Sequence, residues 1–265
     1  MPIAEGVVFD LTFVWGFLIA LAVLIYVVLD GFDLGLGMLF AVEPERRHRD
    51  VMMNSVAPVW DGNETWLVLG GGGLFAAFPL AYALILPALY APIIAMLLAL
   101  IFRGVAFEFR WRTERWRGVW DVAFIGGSAV AALSQGIALG ALLQGITIDK
   151  AARSYAGGWW DWLTPFSVTV GLAVMVGYML LGATWLVMKT DGELQDRMRS
   201  RAWILGVATV AFIGVVSLWT PFLQEGYFVR WFAGTRILLA GLVGVAVLAL
   251  AFLMFRALHV HRHDY

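Results

Sequence analysis

Four carboxylates and one guanidinium in this chain are spaced so that they could handle protons in apolar surroundings. Asp30 and Asp33, in Asp30-Gly-Phe-Asp33, are i,i+3 and share one face of a helix. Asp61 and Glu64 repeat that spacing in Trp60-Asp-Gly-Asn-Glu-Thr-Trp66, and Arg103 ends the uncharged run from Thr65 to Phe102. Charges in or beside an apolar span are costly to place, so they mark a path or a partner by default. A partly buried carboxyl group titrates nearer neutrality than a solvated one, which suits it to taking up and releasing protons, and an arginine beside it acts in the opposite sense. Each group also has a structural use. Asp61 could cap a helix with Glu64 at its N3 position. Arg103 could be an anchor whose head reaches the headgroup layer. Asp30 and Asp33 would be solvated if their helix ended at Leu29, but the apolar Leu34 to Phe40 continues it past them. Gly70 to Gly73 follow the second acidic pair and predict a closely packed wall, because glycines let helices approach.

The elements that must position these groups are membrane spans. The chain has 265 residues, 62% hydrophobic and 14% charged, with mean hydropathy +0.83. A soluble domain would carry about a quarter charged residues. The fold class is therefore all-α, a polytopic transmembrane helical bundle of about seven spans, in one domain over residues 1–265. A span needs about 20 apolar residues. The first runs from Leu11 to about Phe40. The second and third share the run Thr65 to Phe102, broken at Pro79 into a tight hairpin, with Pro87 and Pro92 as kinks in the third. The fourth is Val122 to about Ile148. The fifth is Thr164 to Met188, with Pro165 near its N1 position. The sixth is Ala202 to Phe222 and the seventh Ile237 to Phe255. The first Lys or Arg is Arg46, so the basic start of a cleavable signal peptide is missing.

Loop charges predict the orientation. Fourteen of the 18 Lys and Arg lie in loops 46–49, 103–117 and 189–201 and in the tail 256–262. The positive-inside rule makes that side cytoplasmic and puts the N-terminus, with Glu5 and Asp10, outside. Trp159, Trp160 and Trp162 then belong to the outer interface. Asp30, Asp33, Asp61 and Arg103 converge near the cytoplasmic ends of the first three spans, where they could form a hydrated inlet for protons.

Other chemistry finds no support. There are no cysteines, which excludes disulfides and thiolate metal sites. The four histidines, His48, His259, His261 and His263, fall outside the predicted spans, so no axial ligand for a buried haem is evident. Met96, Met175 and Met179 read as packing. The His259-Val-His261-Arg-His263 tract reads as a solvated tail, not a metal site. The basic loops read as topology signals, so no nucleic acid is implied.

Three motifs, Asp30-Gly-Phe-Asp33 with its Gly-rich helix end, Asn54-Ser-Val-Ala-Pro-Val-Trp-Asp-Gly-Asn-Glu64 and Phe102-Arg103-Gly, occur in an order and spacing that resemble subunit II of cytochrome bd-type quinol oxidases. The resemblance runs the length of the chain. It implies a heterodimer with a subunit I that carries haems b and d and the quinol-oxidising loop, in the bacterial cytoplasmic (inner) membrane. It implies that subunit II supports assembly and lends part of a cytoplasmic proton route, with Asp61, Asp30, Asp33 and Arg103 as the matching positions. Some members hold a structural quinone in subunit II, and a small accessory subunit is a further partner to expect. The family continues past the seventh span to complete a second four-helix bundle, so the expectation is a first bundle and an incomplete second one. Two other readings compete: a secondary transporter or proton channel, which would place charges at the midplane, and a scaffold with no proton role.

Overall fold

The computed structural model describes residues 10–232, 234 and 236–260. Glu5, His261 and His263 lie outside the described residues. Ten α-helices follow in order among them: α1 (Leu11–Leu39), α2 (Arg46–Val56), α3 (Trp60–Ala77), α4 (Pro79–Ala88), α5 (Tyr90–Arg112), α6 (Arg117–Gln144), α7 (Pro165–Lys189), α8 (Gly192–Trp219), α9 (Glu225–Phe232) and α10 (Arg236–Val260). A two-residue hairpin, Ile148–Asp149 with Ser154–Tyr155, is the only strand pairing among the described residues. Among the described residues, six helical segments are long and apolar enough to cross a membrane: Leu11–Val42, Tyr90–Arg112, Arg117–Gln144, Pro165–Lys189, Gly192–Phe222 and Arg236–His259. Helix α3 has 18 residues, but its polar first turn and four glycines keep it out of that set.

Local signals set several boundaries. Asp10 caps α1 by accepting a hydrogen bond from the Thr12 N–H at 2.9 Å. Thr164 and Ser167 form a reciprocal capping box on α7, with Pro165 in the first turn as expected. The uncharged run 65–102 breaks at Pro79, but it breaks again at Leu89, giving three helices where a hairpin of two was expected. Pro87 removes a backbone bond inside α4. Pro92 kinks nothing, because it falls in the first turn of α5, where the missing N–H would have had no intrahelical partner. The fourth span stops at Gln144, not Ile148, because Gly145 turns the chain with φ 92. The sixth begins ten residues before Ala202, since the polar stretch from Gly192 is already helical. Helix α10 runs past Phe255 and takes in His259, which therefore sits in a last helical turn and not in a tail.

Helices α6 and α7 form the centre, with α5 against α6, α8 against α7, and α1 against α3, α6 and α7. Glycines decide the closest of these contacts. A Cβ on Gly35 would collide with the Tyr178 carbonyl of α7, and one on Gly182 with the Leu36 backbone of α1. The glycine quartet of α3 is less uniform than expected. Gly70 and Gly73 face Val23 and Ile19 of α1, each 3.1 Å from a would-be Cβ, whereas Gly71 and Gly72 have nothing within 4 Å. An i,i+3 pair presents one stripe of a helix, and two glycines suffice to make it.

Ion pairs tie down the end of the bundle that carries the Arg-rich loops. Arg110 is buried and bonds Asp121 at 2.5 Å and Asp50 at 2.8 Å, and Arg49 and Arg117 complete that set. Glu43, also buried, accepts from Arg197 at 2.9 Å and Arg201 at 3.1 Å, and lies 3.2 Å from His48 Nδ1. Burial alone would push its carboxyl group up, but the His48 hydrogen bond and the charges of Arg201 and Arg197 outweigh burial and hold it below the ordinary glutamate value of 4.5. A carboxylate held low contributes stability that is complete above 4.5 and is lost as pH falls through the lowered folded value. Glu43→Gln should lower the stability of the solubilised protein at neutral pH by about 1–3 kcal/mol. The gap in melting temperature should close as the pH is taken below 4.5. Equal melting temperatures at neutral pH would show that Glu43 is no tie.

Candidate functional site

Asp30 and Asp33 lie in the continuous helix α1, on the turn that faces α3 and α5. Both are fully buried, so they are not a solvated helix end. Arg103, on α5, is fully buried too, which rules out an anchor reaching for headgroups. Its Nη1 lies 3.0 Å from Asp30 Oδ1 and donates to Glu64 Oε1 at 2.6 Å, while Nη2 is 3.7 Å from Asp33 Oδ2. Asn63 Nδ2 donates to Asp33 Oδ2 at 2.8 Å. The aromatic wall is built from Trp60 and Phe107, stacked at 4.6 Å, with the Arg103 guanidinium 6.0 and 5.8 Å from their ring centroids. Behind Arg103, a Cβ on Gly127 would lie 2.6 Å from the Ala99 carbonyl and 3.1 Å from Arg103 Cβ. Only glycine lets α6 lie so close to α5 at this level.

The structure brings Asp30, Asp33 and Arg103 together and leaves Asp61 outside. Asp61 is exposed in the first turn of α3, and no ion pair joins it to Arg103. It does not cap that helix either: the N-cap position is Val59, with no side-chain hydrogen bond. Its charge does reach Glu64. Glu64 is the acid that meets Arg103, with its side chain 24% exposed where Asp30, Asp33 and Arg103 are at most 1%. As sequence, Glu64 reads as a helix cap and Asn63 carries no assigned role. A signal for both was present. Trp60, Asn63, Leu67 and Gly70 are spaced 3, 4 and 3 apart, the seam of a packed helix, and Glu64 borders that seam.

Five buried atoms of this cluster have no aligned hydrogen-bond partner: both Asp30 oxygens, Asp33 Oδ1, and Arg103 Nε and Nη2. Buried polar atoms are normally satisfied, often by internal water, so the cluster is suited to holding water among its charges.

Elsewhere, Glu45, His48 and Glu193 bring three ligand atoms within 4.8 Å of one another. Arg197 already bonds both of those carboxylates, so a cation stands where a metal would. An open cleft of about 1120 Å³ between the start of α8 and the end of α10, lined by Asp196, Arg199, Ser200, Trp203 and His259 among others, is separate from the cluster.

Comparisons with known proteins agree on one family. The family model described as cytochrome bd terminal oxidase subunit II matches residues 11–263. Cytochrome bd-I ubiquinol oxidase subunit 2 of Escherichia coli (strain K12) is 39% identical over 230 residues, covering 83% of this chain and 60% of the relative. Cytochrome bd ubiquinol oxidase subunit 2 of Bacillus subtilis is 37% identical over 211 residues, with coverage of 77% and 61%. A probable cytochrome oxidase subunit 2 of Haemophilus influenzae is 36% identical over 228 residues, with coverage of 83% and 59%. The chain thus spans about three fifths of the length of the curated relatives it matches. With a family match over nearly all of its residues and relatives at this level of identity, the chain is a multi-pass membrane protein that belongs to the cytochrome bd terminal oxidase subunit II family.

Proposed function

We propose that this chain serves as the second subunit of a membrane quinol:oxygen oxidoreductase, beside a subunit I that holds haems b and d and oxidises quinol. In this reading the N-terminus is outside and the Arg-rich end cytoplasmic. The buried cluster is the inlet through which cytoplasmic protons start toward the site where oxygen is reduced to water. The relatives' names support the oxidase assignment. The proton role rests on one observation: a fully buried Arg103 held among Asp30, Asp33 and Glu64, with only Glu64 open to the outside.

The chemistry follows from charge. One guanidinium balances one carboxylate, and three stand around it. Unbalanced charge in a low-dielectric bundle is expensive, so the excess of acids over cations gives the cluster room to accept protons. Arg103 keeps the positive charge in place. The carboxyl groups take a proton from water at the mouth and pass it inward through internal water or by direct contact. Quinol, a structural quinone and a small accessory subunit belong to the assembled complex, with the haems on the partner.

The test uses the assembled oxidase with its haem-bearing subunit. Asp30→Asn keeps the shape of the side chain and cannot ionise. Oxygen consumption should fall by an order of magnitude or more, the scale of losing a proton-transfer group, while haem content and subunit stoichiometry stay normal. Full turnover in a haem-replete Asp30→Asn complex would leave this chain a scaffold.

A further inference from the structure

The polar interior does not end at Asp30. Tyr26 lies one turn closer to the middle of α1, on the same face, and is buried. Gln135 Nε2 of α6 donates to the Tyr26 hydroxyl at 2.7 Å, and the Tyr178 hydroxyl of α7 donates to Gln135 Oε1 at 2.7 Å. Both phenols interact electrostatically with Asp30. Gly31 makes room for this arrangement, since a Cβ there would lie 2.9 Å from the Tyr178 ring.

The order of donors matters. Tyr178 gives its hydrogen to Gln135, and Gln135 gives one of its own to Tyr26. The Tyr26 hydrogen is left over, and one turn along the same face stands Asp30, whose Oδ1 is paired with Arg103 at 3.0 Å and whose two oxygens have no aligned donor. Packing alone would be served by Phe and Leu at these places, and a half-satisfied buried network is worse than an apolar core. A chain of donors running toward one carboxyl group is explained if that group must be held in a fixed orientation.

We propose that Tyr26 is a positioning residue for Asp30: its hydroxyl donates to the carboxyl group, and Gln135 and Tyr178 fix the direction of that bond from two other helices. This rests on the proton-inlet reading. The other charged or titratable groups around Asp30 are Asp33 on its own helix, Glu64 from α3, Arg103 from α5 and Tyr178 from α7, and all remain in place when Tyr26 is changed.

The experiment compares Tyr26→Phe, Gln135→Leu and Asp30→Asn in the assembled oxidase, by infrared difference spectroscopy of the carboxyl region and by oxygen consumption. The Asp30 band is the one that Asp30→Asn removes. Tyr26→Phe should shift that band to higher wavenumber, as for a carboxyl group that has lost a hydrogen bond. It should lower turnover roughly fivefold, the scale of one hydrogen bond, with haem content unchanged. Gln135→Leu should shift the band in the same direction by less. It decides the matter by the same readouts if Tyr26→Phe does not assemble. An unmoved Asp30 band in Tyr26→Phe, with turnover still lost in Asp30→Asn, overturns the positioning role and leaves the inlet standing. Normal turnover in Asp30→Asn removes the inlet and the positioning role together.

Discussion

Arg103→Leu in the assembled oxidase should abolish the complex or leave only traces of it. Leucine removes the cation that Asp30, Asp33 and Glu64 share and keeps the acids in the bundle. Removing one partner of a buried ion pair costs about 3–5 kcal/mol, because the other charge stays behind unpaired. Here three carboxylates stay behind. They would have to take up protons or draw α1, α3 and α5 apart to admit water. The expected readout is loss of the intact complex and of its haem from detergent extracts at neutral pH. Arg103→Lys keeps the charge and gives up the planar fork that reaches three acids at once. It should restore assembly but only part of the turnover. Normal assembly of Arg103→Leu would mean that the acids are already neutral without the arginine, and the charge-balance account would fail.

Glu64→Gln and Asp61→Asn should part company. Glu64 touches Arg103 at 2.6 Å and is the partly exposed member of the set, while Asp61 is exposed and bonded to neither. If protons enter through the acid at the mouth, Glu64→Gln should lower turnover by an order of magnitude or more and leave the haems in place. Asp61→Asn removes one charge near Glu64 and should cost no more than a fewfold, more at low ionic strength than at high, because exposed charges are screened by salt. A severe loss in Asp61→Asn with normal turnover in Glu64→Gln would reverse these roles and restore the assignment that the sequence alone suggests. If neither variant loses activity while Asp30→Asn does, protons reach the buried pair by another way.

Much of this protein is legible in the sequence alone. Apolar runs near 20 residues, interrupted by Pro79 and bounded by basic loops, define an all-helical membrane bundle. The 3.6-residue period puts Asp30 and Asp33 on one face. The oxidase motifs name the family, and the match over residues 11–263 agrees. These are properties of contiguous sequence, set by local hydropathy, helix period and the conformational limits of proline. Ranking the acids needed more. Asp61 and Glu64 are neighbours on one turn, and spacing gives them equal standing. Which of them meets Arg103 depends on the rotation of α3 about its axis, and that rotation is set by Gly70 and Gly73 seating against Val23 and Ile19 of α1. From sequence, Arg103 could be a member of the inlet or a headgroup anchor, because its burial depends on where α3 and α6 pack, with Gly127 admitting α6 beside it. Tyr26, Gln135 and Tyr178 are more than a hundred residues apart from first to last, and no local pattern joins them. Their hydrogen bonds exist because three helices meet at glycines. Sequence by itself determined where the long apolar spans lie and what chemistry they carry. Only the packing of those helices decided which acid the arginine holds, since a contact between distant segments depends on helix rotation and close approach that no single segment encodes.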